Sequence, residues 1–177
     1  MHDTKTHPHN RTNGFTLMEL LVVMAILGVL IVAGLASFTT SQKKSRDLRR
    51  KNDLRQMSLA LETYYNDFGS YPLADSSWHE LKGCGETGTQ TCDWGDAWKK
   101  TPATGAETIY MITLPADPLS SRSYYYDSDG TYFKLYASLE NELDEGSGVK
   151  QDGYGSLTCG GTNTCTYGTS SSNKSLE

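Results

Sequence analysis

Glu19 is the residue whose position most needs a chemical explanation. It lies inside an apolar run from Phe15 to Phe38, and it is the only ionisable residue in that run. A run of this length can span a bilayer as a helix, but a carboxylate at the centre of such a helix costs about 2.5–3.5 kcal/mol on insertion scales. Near the end of the run the cost is smaller, yet the carboxylate still needs a partner. Cleavage after Gly14 would supply one, the new α-amino group of Phe15.

The segment GFTLME at positions 14–19, with the apolar run behind it, resembles the start of the type IV pilin and type II secretion pseudopilin family. The resemblance is close as far as Phe38 and loose over the rest of the chain. It implies that a membrane prepilin peptidase cuts between Gly14 and Phe15 and then methylates the Phe15 amine. It also implies that Glu19 neutralises the amino terminus of a neighbouring subunit as the helices bundle into a filament.

An ordinary secretory signal is the alternative interpretation of the same residues. Lys5 and Arg11 would form its basic region, and its apolar core would begin at Leu20. Residues 34–36, Gly-Leu-Ala, provide a small-x-small cut site. Glu19 would then be only the edge of the polar region. Against this interpretation, the sequence after residue 36 continues with helical character, whereas a signal normally leads into a loop.

Residues 15–69 are predicted to form one long helix, with a transmembrane or filament-core half at 15–38 and an amphipathic half behind it. In the second half, apolar residues recur at three- and four-residue spacing and predict a stripe that packs on a sheet. The stripe consists of Leu54, Met57, Leu61, Tyr64 or Tyr65, and Phe68. At 1.5 Å per residue the helix would measure about 80 Å. The rest of the chain is too small to cover it, so lipid or other copies must cover its first half.

The sequence after this helix predicts a small β domain at 70–177. Gly69 and Pro72 should end the helix. Asp129-Gly130, between the β-rich runs 123–127 and 131–139, predicts a hairpin. Alternation of apolar and polar residues in the second run indicates a sheet half-buried against the helix. The expected fold is therefore α+β and pilin-like, a long N-terminal helix packed on a small antiparallel sheet.

The four cysteines fall into two close pairs, Cys84 with Cys92 and Cys159 with Cys165. Three connectivities are possible, and proximity in sequence favours these two local bridges, which persist in oxidising compartments. A zinc site is the alternative. Two observations argue against zinc: the spacing within each cysteine pair is wider than in the usual zinc motif, and His79 is the only histidine after the leader.

The sequence thus predicts a leader at 1–14, the helix at 15–69, and a globular domain at 70–177 with disulfide-closed loops. The polar tail at 168–177 is expected to be flexible and to fray.

Basic residues at 43–51 would place the domain in the cytoplasm by the positive-inside rule, but the cysteine pairs and the cleavage motif indicate a location outside it. The resemblance implies a single-pass membrane protein whose domain lies outside the cytoplasm, in an extracellular pilus or a periplasmic pseudopilus.

DNA and calcium are the two ligands that the charged segments suggest. The chain has a net charge of −5 at pH 7, so DNA is not expected as a partner, and the basic segment 43–51 fits lipid headgroups or a neighbouring subunit better. Some pseudopilins bind calcium in a late loop, and an oxygen-rich stretch stands there in this chain: Glu140, Asn141, Glu142, Asp144 and Glu145. An acidic loop is usually only solvated, so no cofactor is expected, with calcium as the alternative.

No arrangement of residues suits catalysis, so an enzyme is not expected. Trp78, Trp94 and Trp98 are predicted to fill the core, with a carbohydrate-binding platform as the alternative.

The expected partners are further copies of the chain in a helical filament, the prepilin peptidase, the pilus or secretion assembly machinery and the inner membrane. The competing function is a secreted or membrane-anchored extracellular binding domain that does not polymerise.

Overall fold

The computed structural model describes residues 14–77, 79–100 and 105–176, except for the side chains of residues 33–37. The chain divides into two compact units, Met1–Thr40 and Ser41–Glu177. In the described residues, one helix is followed by seven short strands.

Helix α1 runs from Leu17 to Phe68, 52 residues in all. Its end follows from Gly69, which adopts a left-handed backbone with φ of 70°. In that conformation the Gly69 N–H donates to the Tyr65 carbonyl at 2.7 Å, satisfying a carbonyl of the last turn. The predicted helix end at Gly69 is therefore confirmed.

In the first unit, the large apolar side chains that the structure describes on the helix are exposed. Every residue from Gly14 to Val32 is exposed, and Leu17 and Phe15 retain 89% and 77% of their surface. No helix among the described residues combines the length and hydropathy needed to cross a membrane. The predicted span at 15–38 includes residues 33–37, whose side chains lie outside the described part.

The second unit contains three small antiparallel sheets. Strands β1 (Lys82–Cys84) and β2 (Gln90–Thr91) form one, and β3 (Trp98–Lys100) and β4 (Thr108–Met111) form another. Strands β5 (Tyr125–Ser128), β6 (Phe133–Ala137) and β7 (Tyr167–Ser170) form the third, in the order β5-β6-β7. The α+β class is confirmed, although the strands are divided among several sheets.

The predicted hairpin is formed by β5 and β6. Tyr126 pairs with Leu135 and Ser128 with Phe133 across the ladder. Gly130 supplies the left-handed turn residue, with φ of 93°. The Asp129 carboxylate accepts hydrogen bonds from the Thr131 N–H at 2.8 Å and the Thr131 hydroxyl at 2.7 Å. The Asp-Gly pair therefore makes the turn, as predicted.

Strand β6 is buried on both faces, so the predicted half-buried sheet is wrong. Leu135 packs in the main core, but Tyr136 on the opposite face is only 1% exposed. Tyr136 belongs to a second core with Tyr154 and the disulfide Cys159–Cys165. The alternating pattern was misleading because the fully buried side chains of this second core are tyrosine and cystine, which do not stand out as an apolar face in the sequence.

The expected fraying of the tail at 168–177 is also wrong, because residues 167–170 form β7. Beyond the strand, the Ser171 N–H donates to the Phe133 carbonyl at 3.1 Å, and the Phe133 N–H donates to the Ser171 hydroxyl at 3.2 Å. Leu176 then packs against the second core. Backbone pairing anchors this polar segment, and composition does not report backbone pairing.

The apolar stripe of α1 packs in the main core as predicted. Leu54, Met57 and Leu61 are fully buried, and of the two tyrosine alternatives Tyr64 is the buried one. Phe68 departs from the prediction, since it is 44% exposed. Lys100 Nζ lies 3.7 Å from the centroid of its ring, a cation–π contact in place of core packing.

The tryptophans that the structure describes favour the core over a binding platform. Trp98 is fully buried and packs against both Tyr64 and Tyr110. Trp94 packs against the same core. Trp78 lies outside the described residues.

Candidate assembly site

The start of α1 is built by Thr16, which caps the helix. The Glu19 N–H donates to the Thr16 hydroxyl at 3.2 Å, and the Leu20 N–H donates to the Thr16 carbonyl at 3.2 Å. A threonine followed three residues later by glutamate is the capping-box spacing. A carboxylate in the first turn also interacts favourably with the helix dipole. Glu19 thus has a structural role at the helix start besides its predicted assembly role.

The surroundings of Glu19 are apolar and uncovered. Phe15, Met18 and Leu20 are 77%, 71% and 53% exposed, and the Glu19 carboxylate makes no ion pair with any described residue of its own chain. Any partner that covers this apolar surface would also desolvate the carboxylate, which is costly unless a cation faces it.

Gly14 and Phe15 lie in an exposed, non-helical segment directly before the cap. A Cβ added at Gly14 would meet no atom within 4 Å. Packing against the described residues therefore does not require glycine at this position. A requirement for glycine would have to come from a molecule that acts on this junction.

A second group of charges, which the sequence analysis missed, lies where α1 enters the second unit. Arg50 is fully buried. Its Nε and Nη2 donate to the two carboxylate oxygens of Asp117 at 2.7 and 2.8 Å. This bidentate pair joins the helix to the rigid Asp-Pro turn at 117–118.

Asp47, Glu140 and Arg46 complete this group, which we call the Arg50 cluster together with Arg50 and Asp117. Arg50 Nη1 donates to Asp47 at 2.8 Å and to Glu140 at 2.7 Å. Arg46 forms a second bidentate pair with Glu140. Asp47 also accepts from the backbone N–H groups of Glu140 and Asn141. Each buried charge in the cluster therefore has several hydrogen-bonding partners.

Contacts within the Arg50 cluster shift the pKa values of Arg46, Arg50 and Glu140 toward their charged forms. Burial alone would lower the pKa of Arg50, but hydrogen bonds to Asp117 and Glu140 outweigh burial and raise it. The hydrogen bond from Arg46, opposed by burial and supported by Arg50, lowers the pKa of Glu140 to about 2. Arg46, Arg50 and Glu140 are therefore in their charged forms at neutral pH.

Spacing was the signal that would have revealed this cluster. Asp47 and Arg50 precede Leu54 at the same three- and four-residue intervals that define the apolar stripe. Charges on a core-facing stripe indicate buried ion pairs. The interpretation of the basic segment 43–51 as facing lipid or a neighbour is therefore wrong for Arg46, Arg50 and Lys51, which pair within the chain.

In the acidic loop at 140–145, which was considered for calcium, cationic side chains of the same chain already pair with two of the carboxylates. Lys51 Nζ contacts Asp144 at 2.6 Å, and Glu140 is held by the two arginines of the cluster. The Gln151 amide donates to the carbonyls of Asn141 and Asp144. Among the described residues, no group of three acidic, histidine or cysteine side chains is placed to hold a metal ion.

The cysteines form the two local disulfides, Cys84–Cys92 and Cys159–Cys165, and no described cysteine is free. The first closes the loop between β1 and β2, and the second closes a loop in the second core. In a secreted domain such bridges restrict the unfolded chain.

Comparisons with known proteins agree with this arrangement. A family described as "Prokaryotic N-terminal methylation motif" matches residues 9–35, which contain the Gly14–Phe15 junction and Glu19. The type II secretion system core protein G of Pseudomonas aeruginosa is 27% identical over 137 residues, 76% of this chain and 88% of that protein. The type IV major pilin protein PilA of Myxococcus xanthus is 31% identical over 71 residues, 40% of this chain. The chain spans only 31% of that pilin's length. No solved structure matches.

Proposed function

Because its N-terminal motif and its relatives support a place in the type IV pilin and type II secretion pseudopilin family, we propose that this chain is a structural subunit of a pilus or pseudopilus. A prepilin peptidase removes residues 1–14 and methylates Phe15, and the subunits then polymerise through their N-terminal helices. The observation that carries this proposal is Glu19, the single ionisable residue in an apolar run that is exposed on its own chain.

The exposed apolar surface supplies the driving force for assembly. Burying one Val, Leu, Ile, Phe or Met side chain is favourable by about 1.5–3 kcal/mol. Lipid covers these side chains in the inner membrane, and neighbouring helices cover them in a filament. Inside a bundle of helices, Glu19 needs a cation, and the Phe15 amine of an adjacent copy provides it. This pairing sets the axial register, because a displaced copy would leave both charges buried and unpaired.

The subunit is proposed to sit in the inner membrane as a single-pass protein, with its second unit outside the cytoplasm. The two disulfides support this location, because such bridges persist in oxidising compartments. The assembly machinery then moves the subunit from the membrane into the filament. The chain acts as a substrate of the processing enzyme and has a structural instead of a catalytic role.

The pseudopilus is better supported than the pilus. Similarity to the secretion core protein extends over 76% of this chain, whereas similarity to the major pilin extends over 40%. The first match must therefore include much of the second unit, and the second match leaves most of the chain unaligned. The competing proposal, an extracellular binding domain that never polymerises, leaves Glu19 only its role at the start of α1 and gives no cover to the exposed apolar residues around it.

A charge-removing substitution tests the role of Glu19. Glu19→Gln keeps the size of the side chain but removes the charge that pairs with the amine. We expect the variant to be inserted and processed normally and to form no filaments, as scored by electron microscopy and by the mass of the mature chain.

Thr16→Ala is the matched control, because it removes the cap of α1, at a cost of about 1 kcal/mol, and leaves the carboxylate. This control should still form filaments. Normal filaments from Glu19→Gln would show that the charge has no role in assembly.

A further inference from the structure

The two most exposed large apolar side chains described in the second unit are Leu143 and Ile112, at 87% and 85% exposure. Leu143 lies in the acidic loop that follows β6, and Ile112 directly follows β4. Neither contributes to the buried cores. A single exposed apolar residue is common on a protein surface, so what matters is whether each of the two belongs to a larger apolar surface.

Ile112 borders a groove of about 590 Å³ between α1 and the end of β4, which we call the β4 groove. Leu59, 64% exposed, lines its helix wall, and Met111 lines its strand wall. The remaining lining residues are Gln56, Ala60, Thr63, Tyr110 and Thr113. The groove can therefore receive an aliphatic side chain.

Leu143 and Leu48 form a second exposed apolar surface, which we call the loop ridge. Leu48 is 67% exposed, and the two leucines border the same shallow depression together with Lys44 and Glu145. The ridge is apolar at its centre and charged at its edge, which is the anatomy of a contact between proteins.

The loop ridge and the β4 groove lie on opposite flanks of α1. At 100° per residue, Gln56, Ala60 and Thr63 lie to one side of the outward line through Leu59, and Lys44 lies to the other side. A head-to-tail series, in which each ridge meets the next groove, covers both and does not close on itself.

Acidic residues of the loop ridge have a candidate cationic partner beside the β4 groove, although Lys44 also borders the ridge. Glu142 and Glu145 lie one and two residues from Leu143, are exposed, and have no ion pair within the described part of the chain. Arg49 lies on the groove flank of α1, two turns before Gln56. Its side chain is 63% exposed and approaches Asp53 only to 3.8 Å, so it remains available to a partner.

We propose that the loop ridge of one copy of this chain seats in the β4 groove of the next copy, with Leu143 against Leu59 and Ile112. Glu142 and Glu145 of the first copy then face Arg49 of the second. This inference rests on the proposed polymerisation and adds to it a lateral contact between the second units, separate from the pairing of Glu19 with the amine.

Cysteine cross-linking of the full-length chain in assembling cells tests this contact. The double variant Ile112→Cys/Leu143→Cys should give a ladder of covalent oligomers on mild oxidation. The matched control is Leu73→Cys/Leu143→Cys, because Leu73 is 54% exposed but belongs to neither surface. The control and the two single variants should give no ladder. Covalent dimers from Ile112→Cys alone would indicate a symmetric contact and overturn the proposal.

Filament formation is scored by electron microscopy before oxidation, which separates the two possible failures. Filaments of the double variant without a ladder would overturn the lateral contact and leave the polymerisation proposal standing. A wild-type chain that forms no filaments would overturn both.

A second variant tests the energetic role of the ridge. Leu143→Asp should reduce filament yield by about tenfold or more and leave the thermal unfolding of the chain unchanged, because Leu143 is 87% exposed. Leu73→Asp should leave the yield unchanged. Wild-type yield from Leu143→Asp would contradict the proposal.

Discussion

At the scale of single residues, Arg50 is a charged side chain that is fully buried in the second unit. Removing a guanidinium from water is costly, and the cost is offset only when each donor finds an acceptor. Arg50 donates to Asp117, Asp47 and Glu140 at 2.7–2.8 Å. These contacts fix α1 against two separate loops, so the cluster determines the register of the helix on the strands.

Removal of one partner from this cluster should be strongly destabilising. Arg50→Met would leave Asp117 buried without its cation, and we expect the free energy of unfolding to fall by about 3–5 kcal/mol. Arg49→Met is the matched control, because Arg49 is exposed and its ion pair is worth at most about 1 kcal/mol. Denaturant titration of the mature chain in detergent measures both. A loss for Arg50→Met no larger than for Arg49→Met would contradict the assignment.

The lowered pKa of Glu140 predicts a loss of stability in acid. The pKa falls from 4.5 to about 2 on folding, so the unfolded chain binds the proton more tightly. The resulting stabilisation is complete above pH 4.5 and is lost as the pH falls through the folded value near 2. It amounts to at most about 3 kcal/mol.

Unfolding measured as a function of pH checks this expectation. Glu140→Gln should be less stable than wild type at pH 7, and the difference should shrink as the pH approaches 2. A difference that stays constant between pH 7 and pH 2 would contradict the prediction.

At the scale of elements, β7 shows how backbone pairing organises a polar segment. Gly168 pairs with Tyr136, and a Cβ at Gly168 would stand only 2.8 Å from the Tyr136 ring. Only the absence of a side chain lets the strand approach this ring, which is itself part of the second core. The glycine is therefore a packing requirement of the sheet.

Gly168→Val should therefore destabilise the sheet by about 1–3 kcal/mol through overpacking. Thr169→Val, in the same strand, keeps the side-chain volume and should cost less. Thermal unfolding of the two variants gives the comparison. Equal stabilities would show that the ring moves aside without cost.

Several elements were predictable because local patterns determine them. Gly69 ended the helix, Asp129-Gly130 made the hairpin turn, and the stripe from Leu54 to Tyr64 faced the core. The Arg50 cluster and β7 were not predicted, because their partners are distant in the sequence. Arg50 meets Asp117, and β6 meets a tail that composition alone describes as polar.

Part of the candidate site was predictable from the sequence, and the surfaces proposed for the lateral contact were not. The motif at 14–19 could be read directly, because charge and hydropathy at fixed spacing define it. The capping role of Thr16 follows the same spacing but was not anticipated. The loop ridge and the β4 groove could not be read from the sequence, because they depend on how loops far apart in the chain flank α1.

At the scale of the whole molecule, the two units differ in whether their apolar side chains are buried within the chain. The second unit buries its apolar stripe, its two disulfides and an ionised cluster within one chain. The first unit leaves its large apolar side chains exposed from Phe15 to Val32. The proposed membrane and filament states each supply the cover that a single chain lacks.

The central claim is that Glu19 meets the amine of Phe15 from an adjacent copy, which requires that this amine exist. Mass spectrometry of the N-terminal peptide from purified filaments measures this directly. We predict a chain that begins at Phe15 and carries one methyl group on its amine. A chain that retains residues 1–14 would contradict the account because it has no Phe15 amine, and a chain that begins at Ser37 would contradict it because it has lost Glu19.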